Sequence, residues 1–382
     1  MTTFIEAAKN GNVELLGRLF ARCEAQIREV DQMNMTTLHW TVHYGHTQCL
    51  KFLLSVRAGL EARANDGSTA LMLAVKSGHI ACVQLLLAAK ADTEARDNHC
   101  MSAITWAAGR GYTECVQSLI HAKADVEVRN IFGESAVAWA VTYGHVVCLR
   151  LLLEAKASVE AKNNKNGTAL IAAAGFGFME CMQVLLDAKA NIGAKDNSGW
   201  TALSSAAAGG HTACVELLLD SNADVENRDG WSALHGAAYY GHIECALLLL
   251  DANADIEAKN GGGNTALHVA STGGHMESLW LLLDAKANVE AKNNTGATAL
   301  HLGVLNKHIE CVQLLADANA DLEVREVNGM TALMLAADSG DIACVEALVE
   351  AKADIETRNN DGRTALQCAA QRGNTDCLEF LL

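Results

Sequence analysis

His-x-x-Cys stands six times in the chain, at His46/Cys49, His79/Cys82, His145/Cys148, His211/Cys214, His242/Cys245 and His308/Cys311. Imidazole and thiolate are zinc donors, so metal binding is the first chemistry to weigh. Tetrahedral zinc takes four donors at about 2.0–2.3 Å. Each pair supplies two, and no Cys-x-x-Cys occurs to complete a set. On separate helical layers, neighbouring pairs stand about 8–10 Å apart, too far to share an ion. The same spacing forbids a disulfide ladder, because bridged Cα atoms lie under about 7 Å apart. The cysteines are read as small apolar residues and the histidines as turn-forming. Cys100 stands apart at a loop tip, where it reads as a tolerated substitution. Gly261-Gly262-Gly263 lacks the Lys-Ser/Thr that a phosphate loop carries next, and it is read as a loop. Four further histidines, His39, His235, His268 and His301, close a Thr/Ser-x-Leu-His pattern. No nucleophile and orienting partner converge with them in sequence. No catalytic residue, cofactor site or metal site is assigned.

The elements that hold these residues follow from the spacing. Thr-Ala-Leu or a variant recurs with its third residue at Leu38, Leu71, Ile104, Val137, Leu170, Leu203, Leu234, Leu267, Leu300, Leu333 and Leu366. Every step is 33 residues except Leu203 to Leu234, which is 31. The Gly-His-x-x-Cys ladder keeps the same register. Each unit reads as two short helices and a turn. In the unit at Asp66, Thr69 caps a helix over Ala70–Val75, which Gly78 ends. A second helix over 80–88 buries Val83, Leu86 and Leu87. A polar stretch over 90–98 then turns outward as a hairpin finger.

The 33-residue period, the Gly-His turn and the fuller motif at Thr265-Ala266-Leu267-His268-Val269-Ala270 resemble the ankyrin repeat. That resemblance implies an all-α helical solenoid with β-hairpin fingers and about twelve units. It spans 1–382 as one array, with 1–32 as an N-terminal cap and eleven repeats over 33–382, the last without its finger. It implies structural turn histidines and partner contacts on the finger tips and the concave face of the first helices. Two departures carry predictions. The family places Gly after the second helix; this chain has Arg57, Lys90, Lys123, Lys156, Lys189, Lys286 and Lys352, with Asn222, Asn253 and Asn319. A left-handed non-glycine costs about 1–2 kcal/mol, and a cation at a helix C-terminus returns about 0.3–1 kcal/mol. These residues are predicted to be left-handed. The 31-residue step is predicted to shorten the finger between Asn227 and Gly230.

Composition narrows the partner. The net charge is −16 and proline is absent. Nucleic acid and anionic membranes call for a basic footprint, so neither is expected as a partner. No apolar run approaches the roughly 20 residues of a membrane span. Thirteen cysteines without a secretion signal point to reduced thiols in the cytoplasm, with the nucleus as an alternative. A monomer is expected. The finger rows of Glu61, Glu94, Glu127, Glu160, Glu226, Glu257, Glu290, Glu323 and Glu356, each followed two residues on by Arg or Lys, read as a solvated face with cross-repeat charge pairing.

Binding is expected where the repeats differ. At the end of the first helices most units are bland, but Arg110, Tyr143 and Phe176 are consecutive and Tyr239/Tyr240 follow. Aromatics and Arg are enriched at binding hot spots. Trp200 and Trp231 follow the finger glycine of adjacent units. These seven residues form the candidate protein-binding site. Trp40, Trp106 and Trp139 share a register with Leu73 and Leu335 and are read as core. Trp280 and Leu247 occupy an outer register and nominate a second, convex patch. The function expected is a scaffold or adaptor for a protein partner. The alternatives are a structural spacer and, more remotely, a thiol- or metal-dependent enzyme.

Overall fold

A computed structural model describes residues 3–226 and 230–382. Its described residues form twenty-four α-helices and one 3₁₀ turn. They divide into two compact units, Met1–Ala173 with Glu180–Asn191, and Ala174–Met179 with Ile192–Leu382. No helix among the described residues is long and apolar enough to cross a membrane.

Each unit is built from the predicted helix pairs. Thr69 caps the helix Ala70–Lys76 by accepting the Met72 N–H, and Ile80–Ala88 follows. Cys82, Val83 and Leu86 are fully buried, whereas Leu87 is half-buried. Along the chain the small Ala of the first helix and the Cys and Leu of the second form the core. Small residues suit this packing because they let neighbouring helical layers approach closely. Burial pushes the Cys82, Cys115, Cys181 and Cys311 thiols up to about 11 and Cys344 to about 12. Such thiols stay protonated and pack as apolar groups.

All ten residues predicted to be left-handed are so, with φ between 56° and 71°. Cys100 is left-handed too, at φ 57°, in the finger's glycine register. The fingers depart from the hairpin expectation. Among the described residues no strand forms, and one isolated bridge joins Val30 and Thr36. Each finger whose residues are all described is a tight turn closed on itself, as where Asp97 N–H donates to the Met101 carbonyl at 3.0 Å. Too few residues stand between its ends for a ladder. Residues 227–229, on which the prediction of a shortened finger rests, lie outside those described.

Candidate protein-binding surface

The recurring polar residues are committed to holding one repeat on the next. Of the turn histidines, His46, His79, His211, His242 and His308 place Nε2 at 3.0–3.1 Å from a carbonyl of the preceding repeat. Their rings lie on that repeat's turn glycine. A Cβ on Gly11, Gly45, Gly177, Gly210 or Gly274 would stand 2.5–2.7 Å from Nδ1. Positive φ and close approach together demand glycine there. The exception proves instructive. Lys307 takes the glycine's place at φ 60°, and the following repeat has Asp341 where the histidine belongs.

The second histidine set works in the other direction. His39, His235, His268 and His301 take the backbone N–H of the capping Thr or Ser on Nδ1. Nε2 then donates to a carbonyl of the next repeat at 2.8–3.3 Å. Burial pushes all four imidazoles below their ordinary 6.5, so they are neutral at pH 7 and fixed in one tautomer.

The finger Glu and Arg or Lys rows are used likewise, though among the described residues not as ion pairs with one another. Glu61, Glu94, Glu127, Glu160, Glu226, Glu257, Glu290 and Glu323 accept the backbone N–H of the next repeat at 2.6–2.9 Å. Arg63, Arg129 and Lys259 donate to a carbonyl 33 residues on. The cross-repeat partner is backbone, because its unsatisfied groups at each turn compete better for a carboxylate than a solvated cation does. Among the described residues no cluster of three or more His, Cys, Asp or Glu has metal-binding geometry.

What the stack leaves unused lies on the inner register of the first helices. In the first unit, Arg110 and Tyr143 meet two residues that sequence reasoning assigned to the core. Trp106 and Trp139 are half-buried, because their register faces the finger rather than the second helix. Their rings meet at 5.7 Å and Trp139 meets Tyr143 at 5.5 Å. The Arg110 guanidinium lies 6.0 Å from the Trp106 ring. Together with Gly109 and His145 these four line a cleft of about 520 Å³. The missed signal was an indole N–H, which seeks a partner when buried. Trp40 corrects the same way: its Nε1 donates to Asp31 at 2.9 Å, and the ring stacks on Tyr44 at 5.8 Å. Burial raises the Asp31 carboxyl, but the Met35 N–H, the Trp40 indole, the Met33 N–H and Lys9 together hold it below its ordinary value.

In the second unit, Trp231 meets Tyr239 at 5.3 Å and Tyr239 meets Tyr240 at 4.9 Å, both edge to face. Phe176 pairs with Phe178 at 6.0 Å. Trp200 is half-buried, its backbone N–H donating to the Asp196 carboxylate at 2.9 Å. Tyr143, Phe176 and Tyr240 are 53, 54 and 50% exposed. On the second helices, Leu247 and Trp280 are exposed at one register of successive repeats, Trp280 at 57%.

A family model for ankyrin repeats, covering three copies at a time, matches residues 4–97, 104–196, 176–260, 252–326 and 320–382. Among solved structures, the chain is similar to the human ASB11 ankyrin repeat domain. Their identity is 28% and the TM-score 0.54, over 58% of this chain and 99% of that one. No curated protein matches the chain in sequence. With period, turn chemistry and family model in agreement over nearly its whole length, the chain belongs to the ankyrin repeat family, whose repeats generally serve as protein–protein interaction modules.

Proposed function

We propose that the chain is a scaffold or adaptor that binds a protein partner on the concave face of its first helices and on its finger tips, without catalysis. One observation carries this reading. Half-buried and exposed aromatic rings touch one another in both units, at Trp106, Trp139 and Tyr143 and at Trp231, Tyr239 and Tyr240, while the recurring polar residues are used by the stack. Stiff aromatic side chains supply large contact area at low entropic cost. Arg110 stands at the rim of the first cluster, and Phe176 and Trp200 lie in the same unit as the second. Leu247 and Trp280 supply a lesser, convex contact.

In this reading residues 1–382 act as one array capped by 1–32. The acidic balance of −16 favours a protein over nucleic acid as the target. The buried, protonated thiols suit a reducing compartment, cytosolic or nuclear. The test is affinity capture by the full chain against a variant carrying Tyr143→Ala, Phe176→Ala, Tyr239→Ala and Tyr240→Ala at matched melting temperature. Retention of a partner by wild type and its loss by the variant is expected. Equal capture by both would reject the inner face as the site.

A further inference from the structure

Three tryptophans at one register of the first helix share a construction. Trp40, Trp106 and Trp139 each donate the indole N–H to a carboxylate at 2.9 Å, on Asp31, Asp97 and Glu134. In the first two, the lysine that ends the preceding first helix completes the group. Lys9 Nζ lies 3.8 Å from the Trp40 ring centroid and Lys76 Nζ lies 4.4 Å from that of Trp106. Lys76 also reaches Asp97 at 3.3 Å.

The third tryptophan departs from this pattern. Gly109 stands in the lysine register, at the end of the helix Ala103–Gly109. The Trp139 ring has closed on it, so that a Cβ at Gly109 would meet Trp139 Cε3 at 2.4 Å. The carboxylate, by contrast, is kept by substitution. Asn130 occupies the place of Asp31 and Asp97, nine residues before the tryptophan, and Glu134 supplies the charge instead. Glu134 Oε2 accepts both Trp139 Nε1 and Asn130 Nδ2. Among the described residues, no ion pair within 4.0 Å involves Glu134. Around Trp106 and Trp139 stand two cations, Lys76 and Arg110, and three carboxylates, Asp66, Asp97 and Glu134, which leaves one net negative charge.

We infer that Trp139, which lines the cleft, and Glu134, which accepts its indole N–H, together take a basic side chain, Lys or Arg, from the partner protein. A cation on an aromatic face beside a carboxylate gains from both. The chain builds that arrangement twice with its own lysines, and at Trp139 it keeps ring and carboxylate but not the cation. Arg110, at the Trp106 side, confines the incoming cation to the Trp139 side. This inference rests on the reading of the inner face as a binding surface.

The test is selection of a displayed library of random heptapeptides on the immobilised full chain, with Trp139→Ala and Glu134→Gln variants matched in melting temperature. Glu134→Gln keeps an oxygen for the indole, and it carries the test if Trp139→Ala fails to fold. The expected result is enrichment of Lys or Arg at one position on wild type, falling about tenfold on either variant. Enrichment of peptides without a basic residue that still depends on Trp139 would overturn the inference and leave the binding surface standing. Selection indifferent to both variants would overturn the inference and the inner face of the first unit together.

Discussion

The finger rows and the inner register of the first helices both carry residues that look made for contact, and the structure uses them differently. The finger glutamates repeat at nearly every turn, and in eight of them each carboxylate is tied to a backbone N–H of the next repeat. The aromatics on the inner face appear in only a few repeats, and their rings meet one another, at Trp106 and Trp139 across neighbouring repeats. A residue required by the repeat geometry must recur with it. A residue free of that geometry is available to a partner, and in a repeat protein it shows as a break in the pattern.

The comparison can be broken or sharpened by substitution. The largest stability loss is expected at the turn, where Gly111 has φ 72° and a Cβ would stand 2.7 Å from the His145 ring. Gly111→Ala should destabilise the chain by about 2–3 kcal/mol, read by urea denaturation. The cost should shrink in the His145→Ala background, a coupling that a double-mutant cycle measures. The Lys307 and Asp341 pair is the chain's own version of that double change.

Acid comes next. The four neutral imidazoles are depressed in the fold, while the unfolded chain titrates near 6.5. The unfolded state therefore binds more protons as pH falls below that value. Stability should be complete above about pH 6.5 and decline as pH drops below it. Replacing the four histidines by Gln should flatten the decline. Gln367 already fills that register, with its side chain accepting the Thr364 N–H at 3.0 Å. An unchanged slope would assign the acid sensitivity elsewhere.

Smaller effects separate backbone strain from finger contacts. Lys156→Gly relieves a left-handed side chain at φ 71° and should stabilise by about 1 kcal/mol. Glu94→Ala loses the bond from the Asp125 N–H at an exposed site and should cost about 0.5–1 kcal/mol. Neither should alter partner capture.

Most of the fold was legible because it is written redundantly. Two ladders fixed the register, and the glycine that the ankyrin repeat places after its second helix implied the left-handed conformation of Lys90 and its equivalents. The direction of side chains was less legible. Trp106 and Trp139 share a register with Leu73, and hydrophobicity alone reads all of them as core. The register made the difference, since Leu73 and Leu335 are half-buried there too, and Asp97 and Glu134 then take the indole N–H of the tryptophans. The finger glutamates misled in the opposite sense, because spacing pairs charges and cannot show a backbone N–H waiting 31 residues away.

The central claim is that the inner aromatics bind and the finger carboxylates support. It is tested most directly by capturing partner on two variants side by side, Tyr143→Ala with Tyr240→Ala, both at exposed side chains, and Glu94→Ala with Glu127→Ala, each with its melting temperature recorded. The aromatic pair should lose the partner at nearly unchanged melting temperature, and the glutamate pair should keep the partner while melting earlier. The reverse pattern, with partner lost only on the glutamate variant at unchanged melting temperature, would contradict it.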